Sequence, residues 1–120
     1  MSESNKTPSL QSPPDKRAER RRPHLIVLHG VGVGEVHRVL GGEAIVGRDP
    51  GVDIRIDHPS VSRRHARVTV VGDGVFIQDL GSTNGTLVGI HTVRGRRLVP
   101  DGAVVALGHV TMLKLMYSAT

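Results

Sequence analysis

From His24 onward no window of the chain carries an apolar face at helical period, and short apolar runs cut by glycine-bearing turns take its place. That rhythm predicts strands. They are expected at His24 to His29, Glu35 to Leu40, Ala44 to Gly47, Asp53 to Ile56, Ala66 to Val71, Gly74 to Asp79 and Thr86 to Val88, with a short pair near Thr92 and at Arg96 to Leu98, then Ala103 to Leu107 and Val110 to Tyr117. Period two is plainest where Ala66, Val68 and Val70 alternate with Arg67 and Thr69, and where Leu113, Leu115 and Tyr117 stand against Lys114. Gly41-Gly42, Asp73-Gly74, Asn84-Gly85 and Asp101-Gly102 supply turns between many of these runs. Many short strands at this spacing mean an antiparallel sandwich or a barrel.

The 120 residues, 38% of them hydrophobic, suit one domain plus a tail. Phe76 and Tyr117 are the whole aromatic supply, so the core must be built from Val, Ile, Leu and Ala. Met1 to Pro23 has only Met1 and Leu10 as large apolar side chains, too few to offset the entropy of ordering. It reads as a disordered basic tail ahead of a domain at 24–120, with Lys16 to Arg22 a solvated basic linker. The absence of cysteine excludes disulfides and thiolate metal sites and fits an intracellular protein. No apolar run approaches a membrane span of about 20 residues and no signal-peptide core follows the polar N-terminus, so cytoplasm is the expected location.

Net charge is +5. Residues 1 to 23 hold six Lys or Arg against three acids, and the remainder ten against eight. Within that mildly basic remainder, Arg48, Arg63, Arg64 and Arg67 cluster in or beside polar segments, which points to a local anion site rather than a nucleic-acid face.

Those segments are Val46-Gly47-Arg48-Asp49, Ser62-Arg63-Arg64-His65 and Asp79-Leu80-Gly81-Ser82-Thr83-Asn84-Gly85-Thr86. Gly47 lets the backbone bend at a strand end and Arg48 then projects as a rigid fork. Ser62 offers a small donor, while His65 is expected to fix its loop through backbone groups rather than act in catalysis. Asn84-Gly85 signals a hairpin turn because both residues tolerate positive φ. Ser82, Thr83 and the Asn84 carboxamide add donors around it, and Asp79 is expected to cap or brace the loop. A guanidinium, hydroxyls and a carboxamide from separated positions suit a tetrahedral oxyanion attached to a peptide.

In order and approximate spacing, from about Leu25 to Tyr117, these segments resemble the forkhead-associated (FHA) domain. The resemblance implies an all-β sandwich of about eleven mostly antiparallel strands that binds phosphothreonine peptides through loops at one end, downstream of a Ser/Thr kinase. It implies that Arg48 and Ser62 hold phosphate oxygens with Arg63 and Thr83 assisting, that Asn84 bonds the ligand backbone, and that Gly47, His65 and Gly85 shape the loops. No enzyme activity and no cofactor are expected. Arg48 is expected to be largely exposed in the free protein. Ser60 stands where some family members place a longer side chain that reads the third residue after the phosphothreonine, so that preference is left undefined.

Other readings fit less well. Ser62 with His65 or His58 and Asp79 would compose a hydrolase triad, but nothing like a nucleophile elbow surrounds Ser62 and two arginines follow it. Gly30-Val31-Gly32-Val33-Gly34 lacks the spacing of a dinucleotide loop and reads as a hairpin loop. The seven histidines show no close ligand pairing, so no metal is expected. Nucleic-acid or anionic-surface binding through the tail is the main alternative, weakened by the lack of aromatic stacking platforms. In the tail, Thr7-Pro8-Ser9-Leu10 looks like a site for a proline-directed or other kinase, against the alternative of an incidental residue. Phosphorylated Thr7 would give the chain its own ligand, in cis or by exchange between two molecules. The chain is also of a kind appended to larger proteins such as diguanylate cyclases.

Overall fold

In the computed structural model, which describes residues 22–118, Ala66 and Val68 are buried while Arg67 and Thr69, in alternation with them, reach solvent, as a half-buried strand requires. Eleven strands run in chain order among the described residues. They are β1 (Arg22–His29), β2 (Val36–Arg38), β3 (Glu43–Gly47), β4 (Ile54–Arg55), β5 (Ala66–Val71), β6 (Gly74–Asp79), β7 (Thr86–Val88), β8 (His91–Thr92), β9 (Arg96–Leu98), β10 (Val104–Leu107) and β11 (Thr111–Ser118).

They form two sheets, which decides for the sandwich over the barrel. One holds five strands in the order β9-β6-β5-β3-β4, the other six in the order β2-β1-β11-β10-β7-β8. Every pairing is antiparallel except that of β3 with β4, where Val46 faces Ile54 and Gly47 faces Arg55. The two inner faces meet in a core of aliphatic side chains only, with Val27, Val46, Val75, Leu107, Leu113 and Leu115 almost completely buried. Phe76 lies outside it and Tyr117 packs at its margin. A void of about 10 Å³ is left between the sheets, lined by apolar side chains and too small for any ligand.

Several boundaries differ from the sequence expectation: the third, fourth, tenth and eleventh strands, Glu43–Gly47, Ile54–Arg55, Val104–Leu107 and Thr111–Ser118, are each offset by one residue at one or both ends, and the first two strands differ by more. The first strand opens at Arg22, because Arg22 and Pro23 keep register against Ser118 and Tyr117. Strand β2 is only three residues long, since the Glu35 amide turns back to the Gly32 carbonyl (2.9 Å) to close the β1–β2 hairpin loop. The proposed tail up to residue 21, Thr7 included, lies outside the described residues.

Register fixes which loops share an end. Val46 faces Ala66 and Ala66 faces Asp79, so β3, β5 and β6 bring their Gly47, His65 and Leu80 ends together. On the other sheet Leu107 faces both Thr86 and Thr111, which sets Gly85 and Gly108 at that same end. Arg22, paired with Ser118, begins β1 at the far end, a distance of about 23 Å for eight residues at strand rise.

Candidate functional site

The loops at this end are tied to one another by backbone before any side chain acts. Arg48 N–H donates to Ser62 O (3.0 Å), Asp49 N–H to Arg63 O (3.1 Å) and His65 N–H to Val46 O (2.8 Å), so the turn after β3 lies flat against the turn before β5. Only glycine fits where they cross. A Cβ on Gly47 would overlap the Arg63 carbonyl, which explains the Gly-Arg pair in terms of close approach rather than unusual φ.

His65 sits fully buried under the Ser62 turn. Its Nδ1 accepts from Ser62 N–H (3.0 Å), which puts the ring proton on Nε2, and Nε2 donates to Gly85 O (2.8 Å). The ring therefore pins two loops and is a positioning residue, as the sequence suggests. Neither nitrogen faces the Ser62 hydroxyl, so the pair a hydrolase triad would need is not formed. Gly85, at φ +87°, takes the left-handed conformation that lets its carbonyl receive both His65 and the Gly108 amide (3.0 Å).

Asp79 organises the 80–85 loop. Its Oδ2 accepts from Gly81 N–H (3.0 Å) and Ser82 N–H (2.9 Å), and its Oδ1 from Ser82 Oγ (2.5 Å) and Thr86 Oγ1 (2.7 Å). Burial pushes the carboxyl up, but the bonds from Ser82 and Thr86 outweigh it and hold the group below its ordinary value. Ser82 Oγ in turn accepts from Gly85 N–H (2.9 Å), closing the turn. Asn84 Nδ2 donates to Ser60 O (2.9 Å), and Ser60 N–H and Oγ both converge on His58 Nδ1 (3.1 and 2.9 Å). The Ser60 hydroxyl is thus turned toward His58.

Against this frame stand the outward groups. Ser62 Oγ accepts from Thr83 N–H (3.0 Å), which leaves its proton to donate outward, and Thr83 and Arg63 are exposed beside it. Arg48 departs from the expectation of large exposure. It is half-buried, and its Nε donates to Val61 O (3.0 Å), which ties the side chain to the residue before Ser62. Arg55, not singled out by sequence, lines the same open recess as Arg48, Asp49, Asp57 and Arg63. Its Nε holds the Arg48 carbonyl (2.9 Å) and its Nη2 lies 3.7 Å from Asp57 Oδ2. The alternation Ile54-Arg55-Ile56 signals only that Arg55 turns outward; the parallel pairing with β3 is what sets it beside Gly47. The recess thus holds the Arg48, Arg55 and Arg63 guanidinium groups together with Asp49 and Asp57, and the adjoining loops add the Ser62 hydroxyl and the Asn84 carboxamide, donors of the kind that hydrogen-bond a tetrahedral anion and a peptide backbone.

Known proteins resemble this chain in sequence and in fold. The family model described as the FHA domain matches residues 44–108. FHA domain-containing protein FhaA of Mycobacterium tuberculosis is 35% identical over 86 residues, covering 72% of this chain and 16% of the relative. The curated relatives it matches are longer, and the chain spans less than two thirds of each of the first of them, FhaA among these. Among solved structures, the FHA domain of the CT664 protein from Chlamydia trachomatis is 36% identical with a TM-score of 0.73, over 79% of this chain and 96% of that one. A structure from work on phosphothreonine-dependent FHA domain interactions is 30% identical with a TM-score of 0.70, over 79% of this chain and 95% of that one.

Proposed function

Because this chain belongs to the FHA domain family, whose members bind phosphothreonine peptides, we propose that it is a phosphothreonine-dependent protein interaction module in cytoplasmic Ser/Thr-kinase signalling. The observation that carries the reading is the Ser62 hydroxyl. It is fixed on the Thr83 amide, at the end of the sandwich that also carries Arg48, Arg63 and Asn84, with its proton free to reach a phosphate oxygen.

In this reading Arg48 and Ser62 hold phosphate oxygens, Arg63 and Thr83 assist, and Asn84 uses the carboxamide oxygen and remaining N–H not engaged by Ser60 to bond the ligand backbone. Gly47, His65, Gly85 and Asp79 keep those groups in place. The ligand is a protein phosphorylated by an upstream Ser/Thr kinase. Titration of a phosphothreonine peptide library against its unphosphorylated twin tests it. Saturable binding of phosphorylated members alone is expected, and equal binding of both sets overturns the reading.

Thr7 supplies one such ligand within the chain. Fourteen residues lie between it and Arg22, a contour of about 51 Å. A strand length of about 23 Å separates Arg22 from the loop end, so phosphorylated Thr7 reaches its own site as well as that of a second molecule.

A further inference from the structure

Strand β9 is an outer strand of the five-stranded sheet, and around it Arg94, Arg96 and Arg97 fall within four residues. With Thr92 and Leu98 they line an open recess of about 420 Å³. Elsewhere in the described domain two arginines find carboxylates, Arg67 on Glu43 (3.0 Å) and Arg55 beside Asp57 (3.7 Å), while Arg38 and the site arginines Arg48, Arg63 and Arg64 do not. Among the described residues none of these three has such a partner. Arg96 is instead stacked over the Phe76 ring, 4.5 Å from its centroid, which restrains one of the recess guanidinium groups. Charge on a sheet edge guards it against pairing with other chains. One arginine serves that purpose, whereas three around one concavity with no carboxylate make a receiver for anions.

The recess lies within a short reach of the phosphate site. Arg96 faces Gln78, Gln78 faces Arg67 and Arg67 faces Ile45, two residues short of Gly47. Three strand spacings and two residues of rise amount to roughly 16 Å. An extended polypeptide covers that distance in about five residues. Nucleic acid fits less well, because the charge is confined to one strand edge and the one aromatic face there is already covered by Arg96.

We propose that the recess of Arg94, Arg96 and Arg97 is a second subsite, which takes an anionic side chain, carboxylate or phosphate, about four to six residues along the partner polypeptide from its phosphothreonine. This rests on the phosphothreonine reading of the main site, and the two are separable by experiment.

The probe is a set of phosphothreonine peptides that are neutral outside the phosphate, or carry three glutamates or one phosphoserine centred about five residues before or after it. They are titrated into the wild-type chain, Arg94→Gln/Arg96→Gln/Arg97→Gln and Arg48→Ala. Wild type is expected to bind one acidic placement about five- to thirtyfold more tightly than the neutral peptide, with the advantage shrinking as salt rises. The triple variant should lose that advantage and keep the neutral affinity; Arg94→Gln alone, outside the strand, should lose part of it. No preference in wild type, or a preference that survives the triple change, overturns the subsite. A triple variant that loses only affinity for labelled duplex DNA overturns it in favour of nucleic acid. If Arg48→Ala leaves the neutral phosphopeptide bound, the main-site reading fails instead.

Discussion

The amide of Thr83 donates to the hydroxyl of Ser62 across 3.0 Å of space and 21 residues of chain, joining the two loops that carry most of the candidate site. The contact makes Ser62 both a brace and a donor. Ser62→Ala should therefore weaken phosphopeptide binding about tenfold and destabilise the domain by about 1 kcal/mol, since the Thr83 amide loses its partner. Titration and chemical denaturation of the same variant read the two effects separately.

Phosphothreonine should bind better than phosphoserine in an otherwise identical peptide. A buried methyl is worth about 0.8 kcal/mol by area, close to fourfold in affinity, and more where it also fixes the side-chain rotamer. Equal affinities in a calorimetric comparison would describe a plain anion patch.

The Asp79 carboxyl gives the site an acid limit. Its value in the folded chain lies below the ordinary one, so its ionised form stabilises the fold fully above about pH 4 and that contribution is lost as pH falls through the folded value. Melting temperature should be insensitive to this group from pH 5 to 8, an interval about one unit above the ordinary carboxyl value, and should fall below it. Asp79→Asn should be destabilised near neutrality, and the gap from wild type should narrow in acid.

Phosphorylation of Thr7 should either occlude the site or join two molecules. Light scattering of the phosphorylated chain, with and without Arg48→Ala, distinguishes dimer from self-occluded monomer. A monomer that still takes external phosphopeptide at full affinity rejects both forms.

Sequence and structure agree along Ala66–Val71, where period two is a property of neighbouring residues. The hairpin turn expected at Asn84-Gly85 does not form: the strands on either side, β6 and β7, belong to different sheets, so the 80–85 segment crosses from one sheet to the other, with Gly85 at positive φ. His65 as a loop-fixing residue was legible from its place beside a strand, and the Asp79 brace from its place at the end of one. What was not legible depends on contacts distant in sequence. Arg48 is tied to a carbonyl 13 residues on, at Val61. The place of Arg55 in the recess follows from the parallel pairing of β4 with β3, which no pattern within either strand announces.

Arg48→Ala tests the central claim most directly. Loss of the Val61 bond should lower stability by about 0.5–1.5 kcal/mol, a melting shift of several degrees that leaves the chain folded at room temperature. Loss of a charge-assisted contact to phosphate should cost about 1.5 to 3 kcal/mol of binding, tenfold to more than a hundredfold in affinity. Calorimetric titration of the folded variant with a phosphothreonine peptide is predicted to show that loss, and an affinity equal to wild type would contradict the account.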